Sequence, residues 1–161
     1  MVKFSLKAME KHIEENLDVK HTVMVILLVI IDQVSKLLIH LYKPFVDWNF
    51  FAITFVKNTG ALWGSFKDSN LTFIWISILA IGLLIYLYDQ IPHKGINFYY
   101  LILAGIIGNF ADRVFRGFVV DFLNFKLWPV FNFADAFIVI GVIGLIYFLW
   151  NDKPDEKKSK K

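Results

Sequence analysis

Four long apolar runs dominate the pattern of hydrophobic and polar positions along the chain. They are Thr22 to Leu41, Leu71 to Tyr88, Ile96 to Phe115 and Val130 to Trp150. Each approaches the roughly 20 residues that a helix needs to cross about 30 Å of hydrocarbon. The pattern therefore predicts four membrane-spanning helices, the second and third of which are joined by a short turn that contains Pro92.

The two longer connections carry a different pattern, in which apolar residues alternate with their neighbours. The alternating positions are Phe51, Ile53 and Phe55 in the first connection and Phe118, Val120 and Phe122 in the second. Alternation with a period of two indicates a strand with one buried face. Each connection is therefore predicted to contribute a short strand to a small sheet at the membrane surface.

Lysine residues at both ends of the chain indicate its orientation in the membrane. They are Lys3, Lys7, Lys11 and Lys20 before the first span, and Lys153, Lys157, Lys158, Lys160 and Lys161 after the last. Because lysine and arginine favour the cytoplasmic side, an even number of spans with both termini cytoplasmic is consistent. The predicted fold is an all-α polytopic membrane protein of four transmembrane helices with a small extracytoplasmic β-containing loop region.

The ends of the chain are predicted to lie outside this transmembrane domain of residues 22–150. Residues 1–21 have apolar positions at spacings of three and four between charges, which indicates an amphipathic extension on the cytoplasmic surface. A plain solvated extension fits this segment equally well. Residues 151–161 form a Lys-rich cytoplasmic tail.

Composition narrows the possible chemistry. Of the 161 residues, 57% are hydrophobic, which exceeds the apolar share of an ordinary soluble domain. Cysteine is absent and the four histidines lack the spacing of a helical zinc motif, so neither a thiol enzyme nor a metal site is expected. The net charge of +3 comes mainly from terminal lysines, which suit an anionic membrane leaflet and not a nucleic acid.

Polar residues concentrate toward the outer ends of the spans and in the outer connections. They are Asp32, Lys36, Asn58, Asn109, Asp112, Arg113, Arg116, Asp121, Asn132 and Asp135. A charged side chain in the middle of a spanning helix costs about 2.5 to 3.5 kcal/mol on insertion scales. Convergence of so many polar groups on one leaflet therefore predicts a functional site near the outer side.

Several of these residues also have a purely structural interpretation. Asp32 and Lys36 are four residues apart in the favourable acid-before-base order, so an ion pair is the better interpretation for them. The same holds for Asp112 with the arginines that follow it. Small residues such as Gly60 and Gly108 serve turns or close helix contacts as readily as a site.

Asp121 and Asp135 differ because no lysine or arginine lies within helical reach of either. Two carboxylates that share a site do not both ionise easily, so one keeps a proton while the other acts as a base. This arrangement activates water in aspartic peptidases. From composition and spacing alone, two separately solvated aspartates at the membrane interface fit equally well.

The polar residues belong to five motifs whose order along the chain resembles one family. The motifs are Asp32 to Lys36 (D-Q-V-S-K), Asn58 to Ala61 (N-T-G-A), Gly108 to Arg113 (G-N-F-A-D-R), Val119 to Phe122 (V-V-D-F) and Trp128 to Asp135 (W-P-V-F-N-F-A-D). The series resembles lipoprotein signal peptidase, also called signal peptidase II. The resemblance extends from the first span to the last.

This resemblance implies an intramembrane aspartic endopeptidase of the cytoplasmic membrane, without a cofactor, whose catalytic residues are Asp121 and Asp135. The supporting or substrate-binding residues that it implies are Asp32, Lys36, Asn58, Gly60, Gly108, Asn109, Asp112, Arg113 and Asn132. The implied substrate is a diacylglyceryl-modified prolipoprotein, cut on the N-terminal side of its lipidated cysteine. The expected partners are these substrates and membrane lipids, and the chain is expected to act as a monomer.

A non-catalytic transporter or lipid-binding membrane protein is the alternative that uses the same polar cluster. A transport path normally needs polar groups on both sides of the membrane midplane or broken helices in paired halves. Here the second span has no interruption and the inner halves of the spans are apolar. The motif series therefore favours the peptidase.

Overall fold

In the part of the chain that the structure describes, four helices are long and apolar enough to cross a membrane. The computed structural model describes the backbone of residues 2–60 and 69–151 and the side chains of residues 19–60 and 69–151. Within these ranges the candidate spans are Val19–Tyr42, Asn70–Gln90, His93–Phe115 and Phe133–Asn151. The predicted membrane fold of four spans is thereby confirmed.

The spans belong to the helices α1 (Val2–Tyr42), α2 (Asn70–Leu87), α3 (Ile96–Phe115) and α4 (Phe133–Asn151). Two single-turn 3₁₀ helices, Tyr88–Gln90 and His93–Gly95, make the short connection between α2 and α3. Helix α1 continues without a break through residues 2–18. The predicted amphipathic face of this extension falls on side chains outside the described residues, as do residues 152–161 of the Lys-rich tail.

Three short strands among the described residues form one antiparallel sheet at the end of the helices where α1 finishes. They are β1 (Val46–Trp48), β2 (Phe51–Asn58) and β3 (Val119–Asn124), in the spatial order β1-β2-β3. Strands β2 and β3 come from the two connections in which alternation predicted them. Strand β1 was not predicted, because all three of its residues are exposed and no buried face imposes an alternation.

The fourth helix begins at Phe133 and not at the predicted Val130. The apolar residues before it belong to a segment that folds back on β3. There the backbone N–H groups of Phe122 and Leu123 donate to the carbonyl of Phe131, at 3.0 and 2.8 Å. This turn brings the start of α4 against the strand that carries Asp121.

Close contact between α3 and α4 depends on glycine. A Cβ added at Gly105 would collide with the carbonyl of Ala134 and with Ile138, and one added at Gly141 would lie 2.8 Å from the carbonyl of Phe98. Small residues allow membrane helices to approach at backbone distance. Gly105 therefore allows close packing, which keeps the polar residues of α3 beside the first turn of α4.

The distribution of polarity is the reverse of that in a soluble protein. Large apolar side chains cover the outside of the helices, for example Leu79, Ile85 and Ile143. Charged and amide side chains instead occupy the interior near the sheet, where Asp32, Lys36, Asp112 and Asn132 are fully buried, with 0% exposure. This inversion is expected of a chain whose solvent is lipid.

Candidate active site

Asp121 and Asp135 come from different elements and line the same cavity. Asp121 lies on β3, where it pairs with Val56 of β2, and its side chain is 2% exposed. Asp135 lies in the first turn of α4 and is partly exposed to the cavity. The charge of Asp135 is close enough to act on Asp121. We call these two residues the carboxylate pair.

Two asparagine side chains hold Asp121. Asn58, at the end of β2, donates from Nδ2 to Asp121 Oδ2 at 2.7 Å, and Asn132 donates from Nδ2 to Asp121 Oδ1 at 2.6 Å. Asn58 Oδ1 in turn accepts a bond from the backbone N–H of Gly60 at 3.0 Å. That bond assigns the amide orientation of Asn58, because a backbone N–H only donates. Gly60 thus supports the site through its backbone.

Asp135 is held by the residue that begins its own helix. Asn132 Oδ1 accepts from the backbone N–H of Asp135 at 3.0 Å, while Asp135 Oδ2 accepts from the backbone N–H of Asn132 at 3.1 Å. This reciprocal pair is a capping box, with asparagine and aspartate in place of the usual Ser/Thr and Glu/Gln. The same Asn132 side chain therefore caps α4 and bonds Asp121.

The second oxygen of Asp135 is held from α3. Asn109 donates from Nδ2 to Asp135 Oδ1 at 2.7 Å, and its own Oδ1 accepts from Lys36 Nζ at 2.9 Å and from Asn132 Nδ2 at 3.2 Å. All four oxygens of the carboxylate pair thus accept a bond from an N–H group.

Lys36 lies at the centre of a buried ion cluster behind the carboxylate pair. Its Nζ is 2.8 Å from Asp32 Oδ2 and 3.1 Å from Asp112 Oδ2. Asp112 also pairs with Arg116 and accepts a bond from the backbone N–H of Val120 at 3.3 Å. The ion pair predicted between Asp32 and Lys36 is therefore present, and Asp112 links α3 to the strand that carries Asp121.

Asp32 connects α1 to the start of α4. Its Oδ1 accepts from the backbone N–H of Ala134 at 2.9 Å, which satisfies one of the free N–H groups in the first turn of that helix. A Cβ added at Gly108 would lie 2.6 Å from Asp32 Oδ2, so glycine leaves room for this carboxylate. Asp32 and Gly108 thus set the position of the turn that contains Asp135.

Arg113 faces the cavity and not the ion cluster. Its guanidinium lies over the ring of Phe73 on α2, 5.0 Å from the ring centre, and also donates to the carbonyl of Asn109 at 3.3 Å. Its electrostatic attraction to Asp135 is larger than its attraction to Asp121. Arg113 therefore adds positive charge to the cavity, mainly on the side of Asp135.

Burial gives Asp121 an unusual proton affinity. Burial first, and the charge of Asp135 second, raise the pKa of Asp121 from 3.8 to about 7, although the amide bonds from Asn58 and Asn132 act to lower it. Removal from water disfavours the ionised form of a carboxyl group, and a neighbouring negative charge disfavours it further. Asp121 therefore carries a proton over much of the range below neutral pH.

The cavity in front of the carboxylate pair has a volume of about 760 Å³. Its polar lining consists of Asn58, Arg113, Asp121 and Asp135. Aromatic and aliphatic side chains make up most of the remaining wall: Phe73, Phe125, Trp128, Val130, Phe131, Val139 and Ile140. The cavity thus presents two carboxyl groups to an apolar ligand.

All eleven of the predicted site residues lie in this cavity or in the network behind it. Sequence analysis missed Gln33, whose Nε2 donates to Asp32 Oδ2 at 3.1 Å and to the carbonyl of Gly108 at 3.0 Å. Its Oε1 accepts from Arg116 at 2.9 Å. The available signal was its place inside the first motif.

Among the described residues no group of three or more His, Asp or Glu is suited to a metal ion.

Fold and site together define a polytopic membrane protein with a carboxylate pair in an apolar cavity. Comparison with known proteins gives the family: residues 24–151 match the model described as signal peptidase (SPase) II, and the chain belongs to that family. It is therefore a membrane peptidase.

Individual relatives and a solved structure are similar to this chain over most of its length. The lipoprotein signal peptidase of Caldanaerobacter subterraneus subsp. tengcongensis is 42% identical over 135 residues, which cover 79% of this chain and 93% of that one. The lipoprotein signal peptidase of Halothermothrix orenii is 35% identical over 139 residues, which cover 81% and 95%. A bacterial membrane enzyme solved by the in meso method at 2.3 Å has a TM-score of 0.75 and 32% identity, covering 88% of this chain and 93% of that chain.

Proposed function

We propose that this chain is an intramembrane aspartic endopeptidase that removes the signal peptide from diacylglyceryl-modified prolipoproteins, cutting N-terminal to the lipidated cysteine. Asp121 and Asp135 are its catalytic residues. The observation that carries the proposal is that both carboxylates open into one apolar cavity while every oxygen of the pair is already bonded to an N–H group. Membership of the signal peptidase II family supports the substrate class.

The hydrogen bonds around the pair restrict where a proton can lie. Among the described residues, the hydrogen-bond partners of Asp121 and Asp135 are side-chain amide N–H and backbone N–H groups, which donate and do not accept. A proton on either carboxyl group is therefore directed into the cavity, toward the other carboxylate, a water molecule or the substrate. Such a proton is available for the reaction.

Charge balance supports a single proton on the pair. Four carboxylates of the site (Asp32, Asp112, Asp121 and Asp135) face three cations (Lys36, Arg113 and Arg116). With every group ionised, one negative charge remains in excess, and excess charge is unfavourable in a medium of low polarity. One proton shared by the carboxylate pair makes this set neutral.

The reaction follows from one protonated and one ionised carboxyl group. The ionised group takes a proton from water as the water oxygen bonds to the scissile carbonyl carbon, and the protonated group gives its proton to the carbonyl oxygen. In the second step a proton passes to the leaving nitrogen, the C–N bond breaks, and a hydroxyl proton returns to the pair. No acyl-enzyme forms.

The location proposed for this chemistry follows from the helix ends. The carboxylate pair lies beside the sheet, at the level where α1 ends and α4 begins. With both Lys-rich termini on the cytoplasmic side, this level is the outer leaflet of the cytoplasmic membrane. We assign residues 22–150 to the peptidase domain and residues 1–21 and 151–161 to cytoplasmic extensions. Membrane lipids surround the domain, which acts as a monomer.

The test is cleavage of a diacylglyceryl-modified prolipoprotein by detergent-purified protein. Asp121→Asn and Asp135→Asn keep side-chain size and remove titration, so each should reduce cleavage at least about 10³-fold, and the double variant should be hardly slower than either. Ser77→Ala on α2 changes a residue outside the cavity lining and is the control for the effects of mutagenesis and purification. It should cleave at the wild-type rate.

Two outcomes contradict the proposal. Near wild-type cleavage by either Asn variant, verified as folded, would remove that aspartate from the mechanism. Binding of the lipidated substrate by the wild-type protein without any reduction in its size would instead favour a non-catalytic lipid-binding protein.

A further inference from the structure

The two members of the carboxylate pair have different surroundings. Asp121 lies on a strand and is held by Asn58 and Asn132, whose amide oxygens both accept from backbone N–H groups. Asp135 lies in the first turn of α4, where the helix dipole favours negative charge. Its Asn109 partner is in turn bonded to an ammonium group.

The third N–H of Lys36 connects its charge to the site. A lysine ammonium has three N–H donors. Those of Lys36 meet Asp32 Oδ2 at 2.8 Å, Asp112 Oδ2 at 3.1 Å and Asn109 Oδ1 at 2.9 Å. Because Asn109 Oδ1 must face the ammonium, only its Nδ2 remains for Asp135. The ammonium thereby fixes the amide orientation and polarises the N–H that Asp135 accepts.

We propose that Lys36, acting through the amide of Asn109, is a positioning residue that keeps Asp135 as the ionised member of the carboxylate pair. Asp135 is then the base that takes the proton from water, and Asp121 is the acid that gives its proton to the carbonyl oxygen. When the C–N bond breaks, Asp135 passes its proton to the leaving nitrogen and Asp121 regains one from the new hydroxyl group. This inference rests on the proposed function and assigns roles within it.

One other charged group near the pair favours the same assignment, while the charge of Lys36 itself also acts on Asp121. Arg113 on α3 attracts Asp135 more strongly than Asp121. Asp32 on α1 and Asp112 and Arg116 on α3 form ion pairs behind Asn109, and their charges balance only when Lys36 is counted, two negative against two positive. On the sheet side Asp121 itself lines the same cavity as Asp135.

The experiment measures kcat/KM against pH with a diacylglyceryl-modified peptide that has no titrating side chain. In the active form one carboxyl group is ionised and the other protonated, so the acidic limb reports protonation of the first and the basic limb deprotonation of the second. Asn109→Leu removes the donor to Asp135 and leaves Lys36 with both carboxylate partners. We expect its acidic limb to move up by about one pH unit or more, since a hydrogen bond to a charged group is lost.

Asn58→Leu is the matched variant on the other carboxylate. It removes a donor from Asp121, so the basic limb should move to higher pH while the acidic limb stays in place. The charge of Lys36 is tested in a double variant, Lys36→Met with Asp32→Asn, which keeps the net charge of the cluster and an acceptor for the backbone N–H of Ala134. This double variant should move the acidic limb in the same direction as Asn109→Leu. When all three substitutions are combined, the acidic limb should lie little further than in Asn109→Leu alone.

The outcomes separate this inference from the proposed function. An unmoved acidic limb in a folded Asn109→Leu protein, or a shift of its basic limb instead, overturns the role of Lys36 and Asn109 while leaving the carboxylate pair catalytic. Full additivity of the Lys36 and Asn109 changes also overturns it, because Lys36 would then act independently of Asn109. Failure of the proposed function would be detected in a different experiment, as near wild-type cleavage by the Asp121→Asn or Asp135→Asn protein. Thermal unfolding confirms that each variant is folded. If the variant that carries Lys36→Met does not fold, the pH profile of Asn109→Leu alone still tests the inference.

Discussion

Asp121 is a deeply buried carboxyl group, and its burial changes how readily it ionises. It is 2% exposed, and burial is the largest cause that raises its pKa to about 7. The unfolded chain holds the same carboxyl in water, with a pKa near its usual value. Ionisation is therefore more difficult in the folded state than in the unfolded state, and stability depends on pH.

The sign of this dependence gives a prediction for Asp121. Because the folded pKa lies above the unfolded one, the contribution of Asp121 to stability is fully present below pH 3.8 and is lost as pH rises toward about 7. The Asp121→Asn protein lacks this titration. Between pH 4.5 and 7.5 the free energy of unfolding of the wild type should fall by on the order of 2 to 4 kcal/mol relative to that of the variant. Thermal unfolding in detergent at both pH values measures this difference. If stability depended on pH in the same way in both proteins, the raised pKa of Asp121 would be contradicted.

Individual residues also show what the sequence could and could not predict. The Asp32–Lys36 ion pair was predictable because its spacing along one helix determines the contact. The amide bonds to Asp121 were not, because Asn58 and Asp121 are 63 residues apart and meet only through the pairing of β2 with β3. Resemblance to a family identified these residues as part of a site, but the donor of each bond came from the structure.

At the scale of elements, the hydropathy pattern located the spans and misplaced one helix start. Val130 to Asn132 reads as a continuation of the apolar run, yet the backbone of Phe131 pairs with Leu123 of β3. A local signal for the true start was present, since Asn132 and Asp135 have the three-residue spacing of a capping box. Helix α4 therefore begins where two site residues cap it.

Close packing of α3 against α4 gives the second prediction. Gly105→Ala places a methyl group against the carbonyl of Ala134 and against Ile138, while Gly82→Ala on α2 meets nothing within 4 Å. Overpacking of this kind typically costs about 1 to 3 kcal/mol, so Gly105→Ala should lower the unfolding temperature and reduce cleavage. Gly82→Ala is the matched control and should be neutral or slightly stabilising. Equal unfolding temperatures for the two variants would show that α4 moves freely relative to α3.

At the scale of the whole molecule, the polar cluster lies at one end of the four helices. The other end contains the short connection between α2 and α3 and the ring of His21 stacked on Tyr100, with His21 also bonded to Asn97. A substrate whose scissile bond lies close to a lipid anchor can therefore reach the carboxylate pair only from the leaflet at the sheet end. The orientation of the chain decides which leaflet that is.

The last prediction tests this orientation with single cysteines, which the chain otherwise lacks. Leu127, in the connection before α4, is fully exposed at 102%, and His93, between α2 and α3, is exposed at the opposite end. In right-side-out membrane vesicles, a membrane-impermeant maleimide should label Leu127→Cys at once and His93→Cys only after the membrane is permeabilised. Both variants should still cleave substrate, which verifies that the labelled protein is native. The reverse labelling order would place the carboxylate pair at the cytoplasmic leaflet and overturn the location proposed for it.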